Sequence, residues 1–154
     1  MMGCKERREY KNSIVVPTFE IKIDLDKRAE RELQARNETI KISLWLSGVP
    51  RKDADVGINK AMGIVLGFFE QELAREGVVR FEGLIISERL YNALEDKEYG
   101  VSCSVASGRK SSGSNLLNCE PFEKSISRMA GKQHIIECKL ISDSNDRPLP
   151  ARKE

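Results

Sequence analysis

The stretch Glu38 to Ser47, ETIKISLWLS, sets Ile40, Ile42, Leu44 and Leu46 against Lys41, Ser43, Trp45 and Ser47. Alternation with a period of two places the four aliphatic side chains on one face of a β-strand, where burying each is worth about 1.5–3 kcal/mol. Such a strand needs a sheet with one covered face and one face turned to water. Phe19, Ile21, Ile23 and Leu25 repeat the pattern with Glu20, Lys22 and Asp24 between them. So do Tyr99, Val101, Cys103 and Val105, whose opposite face is small (Gly100, Ser102, Ser104, Ala106), and Ile136, Cys138 and Leu140 after His134. Residues 64–74 are strand-like but irregular, with Gly67 marking a bulge or a close backbone approach. Together with 78–86 they read as a hairpin about Arg75-Glu76-Gly77, with Val79, Phe81 and Ile85 on one side.

Short helices are expected between these strands. Asp26 is placed to cap a helix over 27–36 in which Ala29 and Leu33 share a face and Glu32 meets Arg36. Ser87 caps a second over 88–96, with Leu90, Tyr91 and Leu94 as its apolar stripe. Pro121 opens a third, carrying Phe122, Ile126 and Met129 on one face and stopping at Gly131. The elements do not alternate as a parallel β-α repeat, and polar outer faces argue against a sheet covered on both sides. The expected fold is therefore mainly β, a two-layer β-sandwich of about six strands with short helices in the connections. An α+β arrangement is the alternative. One domain, residues 14–142, lies between an N-terminal tail (1–13) and a polar C-terminal tail (143–154).

Twenty-six basic and twenty-four acidic residues, interleaved, give a net charge of +2. A nucleic-acid binder held by phosphate contacts would gather its lysines and arginines into a stripe, so no nucleic-acid partner is expected. No apolar run is long enough to cross a membrane as a helix, and no signal-peptide core precedes residue 4, so the chain as written is expected in the cytoplasm.

The inventory for chemistry is short. His134 is the sole histidine, with no motif naming a nucleophile or an orienting acid beside it, and no catalytic residue, cofactor or metal site is expected. Asp53 and Asp55 lie in the long connection 51–63 without the further oxygen ligands at fixed spacing that a hard cation requires. Cys4, Cys103, Cys119 and Cys138 do not form paired C-x-x-C spacing. A bridge from Cys119 to Cys138 would close a loop of about 20 residues, worth about 3 kcal/mol. Cys103 to Cys138 is its rival, since both fall on core faces. In a reducing compartment the thiols are small buried hydrophobes instead. Asn37-Glu38-Thr39 spells a glycosylation sequon.

Three residues are candidates for binding. Trp45 faces away from the aliphatic side of its strand, either under a helix or open to a partner. Arg109 and Lys110 sit in the loop 108–115, GRKSSGSN, whose glycines and serines let backbone amides turn outward; the composition suits a mobile hairpin connection first, and an anion-holding loop as the alternative.

Gly3-Cys4 followed by the charged spacer Lys5, Glu6, Arg7, Arg8 and Glu9, then a strand-helix-strand opening and a small β domain, resembles bacterial envelope lipoproteins with immunoglobulin- or transthyretin-like sandwiches, including accessory lipoproteins of type VI secretion. The resemblance implies acylation of Cys4, a membrane tether, and residence in the periplasm or at the outer membrane from a start upstream of Met1. The function expected on this basis is a non-enzymatic protein-binding or assembly module of the cell envelope. The alternatives are an immunity or inhibitor protein that blocks a toxin, and a thiol-dependent enzyme using Cys103 or Cys119.

Overall fold

The structure, a computed structural model, describes residues 12–143. In chain order these form β1 (Ser13–Val15), β2 (Phe19–Leu25), α1 (Lys27–Ala35), β3 (Ile40–Gly48), β4 (Ile64–Leu73), β5 (Gly77–Phe81), β6 (Ile85–Ser87), α2 (Glu88–Asn92), β7 (Gly100–Ser107), β8 (Leu117–Cys119), β9 (Phe122–Ser125), α3 (Ile126–Met129) and β10 (Gln133–Leu140). The architecture is the expected mainly β sandwich. One four-stranded sheet has the order β5-β2-β10-β8 and the other β4-β3-β7-β9, with β1 and β6 as a separate ribbon. Ile40, Ile42, Leu44 and Leu46 of β3 face Ile21, Ile23 and Ile136 of the other sheet within one core, all of them essentially out of solvent. The ladders are antiparallel except that β2 and β10 run parallel, from Glu20 beside Gln133 to Leu25 beside Cys138.

Local signals act as the sequence suggests in several places. The Asp26 carboxylate accepts the Ala29 amide at 2.8 Å, and Glu32 pairs with Arg36 at 2.6 Å. At the other end of α1, Asn37 takes a left-handed conformation (φ 53°) while the Glu38 amide donates to Leu33 and the Asn37 amide to Gln34. This is the paired bonding that satisfies the last carbonyls of a helix. The register of β3 on β4 slips between Leu46 and Ser47, where Leu66 is the extra residue beside Gly67, so the bulge stands where the glycine indicated.

Five expectations are corrected. Strands β4 and β5 are not a hairpin, because β4 pairs with β3 and β5 with β2, and residues 74–76 turn the corner from one sheet to the other. Pairing of Phe81 with Phe19, rings 5.3 Å apart, outweighs local closure. The run 78–86 breaks at Gly83 (φ 72°), after which the facing parity inverts and Ile86, not Ile85, enters the core. Pro121 precedes a strand, since Phe122 pairs with Cys103, and the helix is confined to Ile126–Met129. The second helix ends at Asn92. Among the described residues ten strands form rather than about six, because Ser13–Val15, Ile85–Ser87, Leu117–Cys119 and Phe122–Ser125 are too short for a period to show.

Candidate functional site

The outer face of the β4-β3-β7-β9 sheet carries the most unusual surface. Register fixes its rows: Glu72, Lys41 and Ala106; Glu70, Ser43 and Ser104; Phe68, Trp45, Ser102 and Glu123. Trp45 and Phe68 lie directly opposite one another with ring centroids 4.8 Å apart, and Phe68 is 47 % exposed. Among the described residues no helix covers the tryptophan, which is half-buried. Beside it the small side chains of β7 leave a lowered strip of hydroxyls and backbone. Beyond Ser47 and Gly100 the face runs into an open cleft of about 570 Å³, bordered by Met62, Val49, Glu123 and Arg128.

At its other end the face meets the loop 108–115. The loop does hold an anion, and the anion is the protein's own. Glu38, 2 % exposed, accepts the amides of Thr39 (2.9 Å), Lys110 (2.9 Å) and Ser111 (3.0 Å), and the Ser111 hydroxyl (2.9 Å). Burial alone would raise this carboxyl, but the amides of Ser111, Lys110 and Thr39, with the Ser111 hydroxyl, hold it down at about 2. The amides converge because Arg109 adopts a left-handed conformation (φ 58°), turning successive N–H groups to one side. Gly108 lets the loop lie against β3: its amide donates to the Thr39 carbonyl at 2.8 Å, and a Cβ there would overlap the Thr39 hydroxyl oxygen. Lys110 reaches Glu72 at 3.7 Å, and Arg109 is exposed.

The expected binding residues therefore fall on one side of the molecule but not in one site. Lys110 stands with Lys41 and Glu72, about 13 Å along β3 from Trp45. Sequence reasoning missed Phe68 as the partner of Trp45, although two adjacent phenylalanines in a strand must point to opposite faces. It also missed Glu38, whose signal is a carboxylate at the helix-ending position where an apolar residue usually sits.

Cys119 and Cys138 form a disulfide between directly opposed residues of β8 and β10. The rival pairing is thereby corrected: Cys103 is a free thiol on the other sheet, and burial pushes it up to about 12. A thiol so placed is not a thiolate at neutral pH, and Cys119 is bridged, so neither offers an activated nucleophile. Cys4, the expected acylation site, lies outside the described residues.

His134 is not a bare strand-end residue. It faces the core on β10, its Nδ1 3.2 Å from Lys124 Nζ and its Nε2 3.5 Å from the Met129 carbonyl, with the Phe122 ring edge-on. A lysine ammonium donates to Nδ1, which leaves the proton on Nε2. Burial lowers the imidazole below its usual value; the Lys124 charge adds to this, the Met129 contact opposes it, and Lys132 contributes further. Asp53 pairs with Arg51 at 3.7 Å, and the Asp55 carbonyl accepts Arg89. Among the described residues no helix is long and apolar enough to cross a membrane.

Comparison with protein-family models, with curated proteins and with solved structures finds no match.

Proposed function

We propose that this chain is a non-enzymatic protein-binding or assembly module of the bacterial cell envelope, tethered there like a lipoprotein through Cys4, and that the Trp45–Phe68 face is where its protein partner docks. The observation that carries the reading is the aromatic pair on the outer face of a paired strand platform, exposed Phe68 against half-buried Trp45. Large exposed aromatics are the side chains around which binding energy concentrates. Their fixed position on β3 and β4 lowers the ordering cost of association. The Cys119–Cys138 bridge is compatible with the oxidising compartment that this location implies.

The test is site-specific photo-crosslinking from position 104, an exposed serine one row from the pair, in cells of the native host. The reading expects a discrete protein adduct in the envelope fraction that disappears in the Trp45→Ala/Phe68→Ala double variant. An adduct indifferent to that variant, or none, would remove the face as the docking site. An intact mass showing an unacylated Cys4 would remove the tether.

A further inference from the structure

Resting on that reading, we infer that the partner contributes an extended segment which adds as a further strand to the free edge of β4 along residues 68–73, setting an apolar side chain against Phe68 and basic side chains against Glu70 and Glu72.

The argument starts from area. From Lys41 to Ser47 the outer face is about 20 Å long, and across its four strands about 14 Å wide, or roughly 300 Å². A stable protein interface takes about 800 Å² from each partner, so the aromatic face alone is too small. What adjoins it is an edge. Among the described residues β4, ten residues long, has β3 as its only sheet partner, and Ile86 of the β1–β6 ribbon approaches it at Gly67. The bulge at Leu66 and Gly67 interrupts regular geometry at that point, so the pairable stretch begins at Phe68. A six-residue strand docked there makes on the order of six main-chain hydrogen bonds. Its outward side chains form one more column beside Phe68, Glu70 and Glu72, continuous with the row of Trp45.

Charge gives the column its chemistry. Exposed edge strands are commonly protected by charged residues and bulges against indiscriminate pairing, and β4 has both. Lys41 and Lys110 reach Glu70 and Glu72 from the β3 side at 3.3 and 3.7 Å, but the two carboxylates remain 43 and 44 % exposed. An incoming strand places its side chains about 5 Å from theirs, where opposite charge is favourable and like charge is not. The edge thus disfavours acidic strands and prefers one of the pattern basic, any, basic, any, apolar.

The test uses the full chain, isotopically labelled, and a synthetic acetylated peptide, Thr-Lys-Thr-Lys-Thr-Tyr-Thr, in plain form and N-methylated on alternate residues in each of the two frames. Saturating plain peptide is expected to slow hydrogen exchange of amides in 68–73 at least tenfold. One N-methylated frame, which removes the donors facing β4, is expected to bind at least tenfold more weakly than the other. Glu70→Lys/Glu72→Lys is expected to weaken the plain peptide at least tenfold and to bind its Glu-for-Lys counterpart instead. Binding without added protection in 68–73, equal affinity of the two N-methylated frames, or no peptide binding would overturn strand addition. Concentration-dependent protection of these amides without peptide would give the edge to a second copy of the chain, and would also overturn it. A crosslink from position 104 that still depends on Trp45 in that event leaves the face reading standing. Loss of that dependence with the edge protected would remove the face and leave the edge.

Discussion

Glu38 and Ser111, 73 residues apart, are joined twice: the amide and the hydroxyl of Ser111 both donate to Oε1 of Glu38, at 3.0 and 2.9 Å. The carboxylate thereby does for the loop what a bound anion does elsewhere, and it connects the end of α1 to the loop after β7. Glu38→Ala leaves three amides and a hydroxyl without their acceptor, and is expected to destabilise the fold by about 2–4 kcal/mol. Chemical denaturation measures the loss, and added formate, small enough to enter the vacated cradle, is expected to recover part of it.

The same group sets an acid limit. Its folded-state value of about 2 lies below the ordinary 4.5, so the unfolded chain binds the proton more tightly. The stabilisation is complete above pH 4.5 and is lost as pH falls toward 2. Denaturation midpoints between pH 5 and 2 are expected to fall more steeply in the native protein than in Glu38→Gln.

His134 imposes a limit of the same sign at higher pH. Its imidazole is lowered by burial and by the nearby lysine charges, so the fold prefers it neutral. Stability is full above pH 6.5 and declines as pH falls through the lowered value. Lys124→Met is expected to move the histidine titration, followed by NMR, upward toward 6.5. An unchanged titration would show that burial and Lys132 hold it down without Lys124.

Gly108 is required by proximity rather than by its backbone angles. Gly108→Ala drives a methyl group into the Thr39 hydroxyl oxygen, with Glu72 Oε1 2.8 Å from the same point, and is expected to cost about 2–3 kcal/mol. Thr39→Ala removes the obstructing hydroxyl, so the double variant is expected to be more stable than the sum of the single losses predicts.

Reduction of Cys119–Cys138, or replacement of both by serine, is expected to lower stability by about 3 kcal/mol, and Tm by about 10 °C. The loss belongs to the sheet containing β8, so it is expected to leave the exchange of β3 amides relative to global stability unchanged.

What the sequence disclosed follows the physics of repetition. The faces of β2, β3, β7 and β10 were legible because each strand is long enough to show its period and one side of each is buried. The caps at Asp26 and Ser87 were legible because they act within three residues. The corner at 74–76 was not, since Val79 and Phe81 have the same parity whether β5 returns on β4 or crosses to β2. Only the contact with Phe19 decides between them. In the candidate site, Trp45 could be placed on the outer face by parity alone. Phe68 and the occupant of the 108–115 loop depend on register and on a partner 73 residues away, which no local pattern carries.

The parallel pairing of β2 with β10 has a consequence for how the molecule is made. One of the two sheet neighbours of β2 is encoded 113 residues after it. Closing a loop of that length costs entropy before the pairing rewards it, so β10 is expected to join late in folding. Until it joins, Phe19, Ile21 and Ile23 can pack on β5 and on the apolar face of β3 but lack the strand on their other side. A chaperone that holds apolar strands until β10 joins, in the compartment where the chain folds, is therefore expected to raise the yield of folded protein.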